Sequence, residues 1–252
     1  MAPFKKIDII HMQEQGIFNK KLAVTTESPL IICINGDLFD QIMRTPGDEK
    51  ELITGLLHSN IMISSPDDIK NFRLSESEHG EIVHVQLQVK QTEILSDTKG
   101  TDNCLNLNNI SITDILNCIN TLSKYQPVRM ITRSTHAAIL FDNFFNVIAA
   151  KEDIGRHNAL DKVIGQTLME NTLGKASILV LSSRVSHELI TKVINTPVKC
   201  IFSVSRPTSL AVEIARIYNI TLACLSKKDG VLIFSGFQRF DLSDTQNMTP
   251  SP

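Results

Sequence analysis

The sequence contains no long hydrophobic run. Its longest apolar stretches, such as ASILVLSS at residues 176–183, are far shorter than the roughly 20 residues that span a bilayer. The N-terminal segment MAPFKKIDIIHMQEQG has no uninterrupted apolar core of the kind that signal peptides carry. We therefore expect neither a membrane-spanning helix nor a signal peptide.

Familiar metal and nucleotide motifs are also missing. There is no Cys-x-x-Cys pair, no His-Glu-x-x-His run and no close histidine and cysteine spacing of the zinc type, so the sequence predicts no metal site. The glycine-rich loops GxGxxG and GxxxxGK[ST] are absent too. A formal net charge of only −2 argues against bulk electrostatic binding to nucleic acid or to an anionic membrane. Any anion site must therefore be local.

The five cysteines are an odd number without the spacing of a disulfide framework, which is typical of reduced thiols in the cytoplasm. Cys104 alone lies in a polar stretch, DTKGTDNCLNLNNIS. Because an exposed thiol is open to oxidation, this placement is either accidental or functional. The surrounding residues, about 91–111, lack periodicity, which favours a linker or a functional loop. The other four cysteines stand in apolar stretches, and they are Cys33, Cys118, Cys200 and Cys224.

Hydrophobic periodicity predicts a strand-rich first part and an α/β second part. In the first part, KLAVTTESPLIICING predicts two strands, GDEKELITGLLHSN predicts a helix opened by Asp48, and EIVHVQLQVK alternates like a half-buried strand. From Ser111 onward, apolar strands alternate with amphipathic helices, which indicates a mixed, mainly parallel sheet covered on both faces. We predict a β-rich α+β region over 1–103, an α/β domain of three α/β/α layers over 104–240, and a disordered tail over 241–252.

Three predicted strand-to-helix turns each carry an arginine, namely Arg156, Arg184 and Arg206. Ligands of open α/β sheets bind at such turns, where helix amides favour an anion and guanidinium holds phosphate with paired hydrogen bonds. The alternative is that these arginines are ordinary surface charges and that the nearby hydroxyls are ordinary N-caps. Three such turns together favour a phosphate-bearing ligand. The hydroxyls belong to Ser182, Ser183, Ser205, Thr208 and Ser209.

The segment EDIGRHNALDKVIG crowds charge at the start of a predicted helix. Glu152 and Asp153 are expected there from helix capping alone. Arg156 and His157 are not, since the positive end of a helix disfavours further cations unless an anion binds. The alternative for His157 is a neutral hydrogen-bonding group of the core.

Six segments together resemble the formate dehydrogenase accessory sulfurtransferase family, FdhD. They follow one another in the family's order over about residues 28–238, and EDIGRHNALDK with RTPGDE is the most distinctive pair. The motif STHAA, with Thr135 and His136, also matches, and we assign it no role beyond shaping a pocket wall. The segments are MRTPGDEKELITGLL, STHAAIL, EDIGRHNALDKVIG, SSRVSHELI, VSRPTSLAVEIA and NITLACLSKKDGVLIF.

The resemblance implies a homodimeric cytoplasmic protein whose core is similar to the cytidine deaminase fold. Zinc deaminases carry His-x-Glu at one helix opening and Pro-Cys-x-x-Cys at the next. At the corresponding positions this chain keeps His157, has Ala159 in place of the glutamate, and has serine and valine in place of the cysteines. We therefore expect no zinc and an anion-binding pocket in its place.

The resemblance also implies sulfur transfer. Family members take sulfane sulfur from a cysteine desulfurase as a cysteine persulfide and pass it to the bis(molybdopterin guanine dinucleotide) molybdenum or tungsten cofactor of formate dehydrogenase. GDP is an analogue of that cofactor. The expected cofactor-binding residues are Arg156, His157, Ser183 and Arg184, together with the family's binding stretch, which falls on Leu225, Ser226, Lys227, Lys228, Asp229 and Gly230.

The family's sulfur loop carries a Cys-Gly-x-Cys type motif, whereas TDNCLNLN retains Cys104 alone. Sulfane transfer needs one nucleophilic thiolate, and about 3% of an unperturbed thiol is ionised at neutral pH. One cysteine therefore suffices, and the resemblance makes Cys104 the expected catalytic residue. A lone cysteine, however, cannot discharge a persulfide by forming an internal disulfide. The alternative is therefore a cofactor-binding chaperone of formate dehydrogenase without sulfur chemistry. A nucleoside deaminase, which would require zinc, is the third hypothesis.

Overall fold

The computed structural model describes residues 1–78, 80–88, 107–226 and 228–240, which form a mixed α/β protein. Within these ranges, short 3-10 helices lie at Pro66–Asp68, Thr121–Tyr125, Leu173–Lys175 and Phe237–Arg239. The helices are α1 (Glu49–Ser59), α2 (Ile112–Asn120), α3 (Pro127–Thr132), α4 (Arg156–Met169), α5 (His187–Val193) and α6 (Ser209–Ile217). The strands are β1 (Phe4–Gln13), β2 (Gly16–Thr25), β3 (Ser28–Ile34), β4 (Asp37–Arg44), β5 (Ile69–Ser77), β6 (Gly80–Leu87), β7 (His136–Phe141), β8 (Val147–Asp153), β9 (Ile178–Leu181), β10 (Cys200–Ser203), β11 (Thr221–Ser226) and β12 (Gly230–Ser235).

The chain divides into two compact units built from interleaved segments. Among the described residues, the first unit comprises 1–78, 80–88, 123–139 and 149–173, and the second comprises 107–122, 140–148, 174–226 and 228–240. The first unit thus includes segments that lie beyond residue 104 in the sequence. The predicted boundary at 103 and 104 and the predicted disordered tail lie outside the described residues and stay predictions.

The first unit holds a β-hairpin and a four-stranded sheet. Within the described residues, β1 and β2 pair only with each other, and the sheet has the order β4-β3-β6-β5, with β3 and β6 parallel. Alternate residues of β3 and β6, such as Ile32 and Val83, are buried in one core with the apolar face of α1. The predicted alternation of β6 is confirmed, because His84 and Gln86 are exposed while Val83 and Val85 are buried. The strands β1, β4 and β5 were not predicted from the sequence.

The helix α1 begins where the sequence predicted, but Asp48 does not cap it with its side chain. Asp48 is the residue that precedes the helix, but its backbone is left-handed, with φ of 59°, and its side chain makes no capping hydrogen bond. Its carboxylate instead accepts a hydrogen bond from Lys151 Nζ at 2.7 Å. The side chain therefore joins the start of α1 to β8 within the same unit.

The second unit contains the alternating strands and helices that the sequence predicted. Its strands β9, β10 and β11 are parallel, and β12 is antiparallel to β11. The strand order of the six-stranded sheet is β12-β11-β10-β9-β7-β8. α2 ends at Asn120, and a 3-10 turn at Thr121–Tyr125 separates it from α3, which begins at Pro127 because proline is favoured in a first helical turn. The likeness to cytidine deaminases and the three-layer arrangement stay predictions.

Among the described residues, none of the helices is both long enough and apolar enough to cross a lipid bilayer.

Candidate functional site

In the second unit, the turn after β10 is tied to the turn between β11 and β12. Arg206 Nη2 lies 2.8 Å from Asp229 Oδ2, and the hydroxyl of Ser226 donates to the same oxygen at 2.7 Å. These hydrogen bonds, first from Ser226 and then from Arg206, lower the pKa of the Asp229 carboxyl. The fold therefore brings one arginine-bearing turn together with two residues of the predicted cofactor-binding stretch.

The remaining described residues of that stretch surround this pair. Lys228 and Gly230 are exposed, and Leu225 is half-buried. Gly230 has a φ of 75°, a left-handed conformation that favours glycine, so its role in the turn is conformational. Lys227 lies outside the described residues. Lys228 offers an exposed cation that a large anionic ligand can reach.

The turn between β9 and α5 also lies in the second unit. Ser183 is buried, and its hydroxyl donates to the carbonyl of Arg184 at 3.1 Å. The Arg184 side chain is exposed. Ser186 precedes α5, and its buried Oγ has no hydrogen-bond partner among the described residues. Ser183 thus shapes the turn, and Arg184 presents a guanidinium to solvent.

One predicted anion-binding hydroxyl is an ordinary helix cap. Thr208 precedes α6, and its side chain accepts a hydrogen bond from the backbone N–H of Ala211. The alternative interpretation of these hydroxyls as N-caps therefore holds at this turn.

In the first unit, the opening of α4 is held by Asp153, the last residue of β8. One carboxylate oxygen accepts hydrogen bonds from the Gly155 N–H at 2.9 Å and from the Asn158 amide at 3.0 Å. The other accepts from the Thr45 N–H at 3.1 Å and pairs with Lys162 Nζ at 2.8 Å. The side chains of Asp153 and Lys162 are almost completely buried. They form part of the framework of the unit.

This network joins the two most distinctive motifs of the sequence. The Lys162 ammonium donates to the carbonyl of Thr45 at 3.0 Å, and the Asn158 amide donates to the carbonyl of Met43 at 2.8 Å. The N–H of Ile154 donates to the Thr45 hydroxyl at 3.0 Å. The RTPGDE segment is therefore fixed to the start of α4 by hydrogen bonds.

Glu152 was predicted at the opening of α4, but in the structure it caps α3. Its carboxylate accepts hydrogen bonds from the N–H groups of Val128 at 2.9 Å and Arg129 at 2.7 Å, and it also accepts a short one from the Thr135 hydroxyl. A carboxylate is favourable at the positive end of a helix. The prediction missed this contact because α3 itself was not predicted.

Arg156 is the first residue of α4, and the N-cap, Gly155, supplies no side-chain cap. The Nε of Arg156 is buried and has no hydrogen-bond partner among the described residues. His136, at the start of β7, is half-buried, and its pKa is lowered by burial first and then by the charges of Arg129 and Arg156. His157 is also half-buried. Arg129, His136 and Arg156 therefore lie close together in this unit. Neither Arg129 nor His136 was predicted to bind a ligand.

No group of three or more histidine, cysteine, aspartate or glutamate side chains suited to a metal occurs in the part of the chain that the structure describes. Cys104, the predicted catalytic residue, lies outside the described residues. The four other cysteines are free thiols. Burial raises the pKa of Cys118 to about 12, with Asp114 and Cys200 adding to the effect, and burial raises the pKa of Cys200 to about 11. These two thiols are poor nucleophiles, because the thiolate is the reactive form.

The fold is that of a solved structure with low sequence identity. A crystal structure of a candidate formate dehydrogenase accessory protein from Desulfotalea psychrophila aligns with a TM-score of 0.75 at 21% identity, covering 95% of this chain and 100% of the other. The chain is thus an α/β protein of the same fold, with basic residues at several of its strand-to-helix turns.

The sequence model of the FdhD/NarQ family matches residues 25–241, so the chain belongs to this family. Two similar relatives, each named sulfur carrier protein FdhD, come from Picrophilus torridus and Sulfurisphaera tokodaii. The first is 33% identical over 86% of this chain and 91% of its own length, and the second is 32% identical over 93% and 98%. The family resemblance inferred from the sequence motifs is confirmed.

Proposed function

We propose that this protein is a sulfur carrier that serves the maturation of formate dehydrogenase. It receives sulfane sulfur from a cysteine desulfurase, bears it as a persulfide on Cys104, and delivers it to the bis(molybdopterin guanine dinucleotide) molybdenum cofactor. The observation that carries the proposal is the family match over residues 25–241, together with relatives that bear the name sulfur carrier. We further propose that it acts in the cytoplasm as a homodimer.

Loading is a thiol exchange without net oxidation or reduction. The Cys104 thiolate attacks the outer sulfur of the desulfurase persulfide, a new S–S bond forms on Cys104, the S–S bond of the donor breaks, and the donor cysteine leaves as a thiolate. Delivery of that outer sulfur as sulfide needs two electrons. Since the sulfur loop has one cysteine, we propose that a thiol of another molecule supplies them and ends as a disulfide with Cys104 or with a second thiol.

The loading step is tested by mass spectrometry. After incubation with a cysteine desulfurase and cysteine, the peptide that contains Cys104 gains the mass of one sulfur atom, and Cys104→Ala gains none. Cys33→Ala is the matched control, because Cys33 is a half-buried thiol and its loss leaves loading intact. Sulfur found only on other cysteines would refute the proposal.

The guanine dinucleotide is held, in this proposal, by Arg156, His157, Ser183, Arg184 and the stretch from Leu225 to Gly230. The exposed guanidinium of Arg184 supports this assignment, since it can pair with phosphate oxygens. We expect Arg156→Ala and Arg184→Ala each to weaken the binding of GDP by about 1.5–3 kcal/mol, the contribution of a hydrogen bond to a charged group. Isothermal titration calorimetry measures the loss, and unchanged affinity in both variants would contradict the assignment.

A second candidate function is that of a cofactor-binding chaperone without sulfur chemistry, and the single cysteine of the sulfur loop favours it. In that case Cys104→Ala binds GDP and activates formate dehydrogenase as well as the unaltered protein does. Under the first proposal the variant still binds GDP but does not activate the enzyme. Activation assays with this one variant therefore distinguish the two functions.

A further inference from the structure

The first unit contains a basic cluster formed by Arg129, His136 and Arg156. We propose that this cluster binds a phosphate group and that His136 takes up a proton as the anion binds. The inference deepens the proposed function and rests on it for the identity of the ligand, the diphosphate of a guanine nucleotide. The anion site itself does not depend on sulfur chemistry.

The fold places the three basic residues at one end of a hairpin. β7 begins at His136, and its neighbour β8 ends at Asp153, three residues before Arg156 opens α4. Arg129 Nη1 donates to the carbonyl of Thr135 at 2.7 Å, which holds that guanidinium beside His136. The cluster therefore draws one residue each from α3, β7 and α4.

Two positive charges act on His136. Arg129 on α3 and Arg156 on α4 both act to lower its pKa, in addition to burial. Glu152 on β8 is an acid beside this cluster, and its carboxylate accepts hydrogen bonds from two N–H groups of α3 and from the Thr135 hydroxyl. Burial and the two arginines therefore favour the neutral form of His136 in the free protein.

The cluster also has unused hydrogen-bonding capacity. Arg156 Nε is buried and has no partner among the described residues, and a buried unsatisfied donor carries a free-energy cost that an acceptor would remove. Arg129 is exposed, and its Nη1 donates to the carbonyl of Thr135. The other N–H groups of its guanidinium can donate to a ligand. Two guanidinium groups near one imidazole suit a compact polyanion such as phosphate.

Proton uptake follows from the sign of the electrostatic effects. Two cations and burial hold the pKa of His136 below its ordinary value, and a bound anion raises it by favouring the imidazolium. Between the free and bound pKa values, binding therefore takes up a proton. The affinity for the anion rises as the pH falls below the pKa that His136 has in the complex. It stops rising once the pH is below the pKa that His136 has in the free protein. If binding raises the pKa of His136 by about one, the anion binds about tenfold more tightly at a pH below the free-state pKa than at a pH above the bound-state pKa.

The test is an NMR titration of the histidine ring protons with sulfate and with GDP as separate probes. Sulfate keeps a constant charge over the relevant pH range, so any pH dependence of its binding arises in the protein. The chain has seven histidines, and the signal that disappears in His136→Gln identifies the residue. We expect both probes to raise the pKa of His136 and to bind more tightly at lower pH.

Variants separate this site from general surface charge. Arg129→Gln weakens sulfate binding by about tenfold or more, and it raises the pKa of His136 in the free protein because one of the cations is lost. Arg133→Gln is the control, since Arg133 is an exposed arginine next to the same helix, and it leaves both values nearly unchanged.

Either of two results would overturn the inference. One is GDP binding, seen by calorimetry, that leaves the His136 signals and pKa unchanged. The other is a response of His136 to GDP but not to sulfate, which would place something other than a phosphate group in the cluster. Neither result bears on the loading of Cys104 with sulfur, which is measured separately, so failure here is distinguishable from failure of the proposed function.

Discussion

At the scale of single residues, the Asp153 carboxylate joins the RTPGDE segment, the end of β8 and the first turn of α4. Its partners are the N–H groups of Thr45 and Gly155 and the side chains of Asn158 and Lys162. Both charges of the pair with Lys162 are buried, so each depends on the other for compensation. The network fixes the backbone from which Arg156 and His157 project.

We predict that Asp153→Asn lowers the free energy of unfolding by about 3–5 kcal/mol, because it leaves the Lys162 ammonium buried without a counter-charge. Urea denaturation measures the loss. Adding Lys162→Met to the variant restores part of the stability, since the unpaired charge is then gone.

The exposed ion pair of the second unit provides the comparison. Asp229→Asn removes the partner of Arg206, but both side chains are largely in contact with solvent, so we expect little change in stability. An Asp153→Asn variant as stable as Asp229→Asn would contradict the structural role of the buried pair.

At the scale of elements, the crossing of α1 and α4 depends on two glycines. A Cβ on Gly165 would lie 1.8 Å from the carbonyl oxygen of Glu51, and a Cβ on Gly55 would lie 1.8 Å from the carbonyl oxygen of Asp161. Backbone atoms cannot move aside as a flexible side chain can. The two helices can approach this closely only because both positions lack a side chain.

We predict that Gly165→Ala destabilises the protein by about 1–3 kcal/mol through overpacking, although the same change in an exposed helix would be stabilising. Gly174→Ala is the control, because a Cβ there meets no atom within 4 Å, and its stability stays equal or rises slightly. Thermal unfolding of the two variants checks the prediction, and equal melting temperatures would contradict it.

Hydrophobic periodicity in the sequence was sufficient to predict the helices and strands that have a continuous apolar face. It predicted α1, β6 and the alternating strands and helices from β7 onward. The strand β1 escaped prediction because its apolar residues, including Ile10 and Met12, are largely exposed and produce no one-sided burial pattern. The helix α3 escaped because it has only six residues, too short for a 3.6-residue period to show.

For the candidate site, the sequence predicted which types of residue are present better than it predicted what each residue does. Arginines at strand-to-helix turns were visible in the sequence, but the partnership of Arg206 with Asp229 was not, because the two residues are 23 positions apart. The structural use of Asp153, Asn158 and Lys162 likewise depends on contacts with residues 43–45, more than 100 positions away. His136 carried no signal beyond its place in the STHAA motif, since its neighbours in space come from other elements.

At the scale of the whole molecule, a sulfur carrier must both accept a sulfur atom and release it. Cys118 and Cys200 are buried, with pKa values raised by that burial, and are unsuited to accepting sulfur. In our proposal, which follows the family's sulfur loop, Cys104 bears the sulfur and the basic turns bind the cofactor that accepts it. These two functions make separate demands, because a variant can lose either one alone.

The most direct test follows radioactive sulfur from cysteine through the chain to its client. The chain is loaded by a cysteine desulfurase, separated from the donor, and mixed with inactive formate dehydrogenase and a thiol reductant. We predict that the label leaves Cys104 and appears with the cofactor of the enzyme as activity rises, and that Cys104→Ala transfers neither label nor activity. Activation of the enzyme by Cys104→Ala to the level given by the unaltered chain would contradict the account.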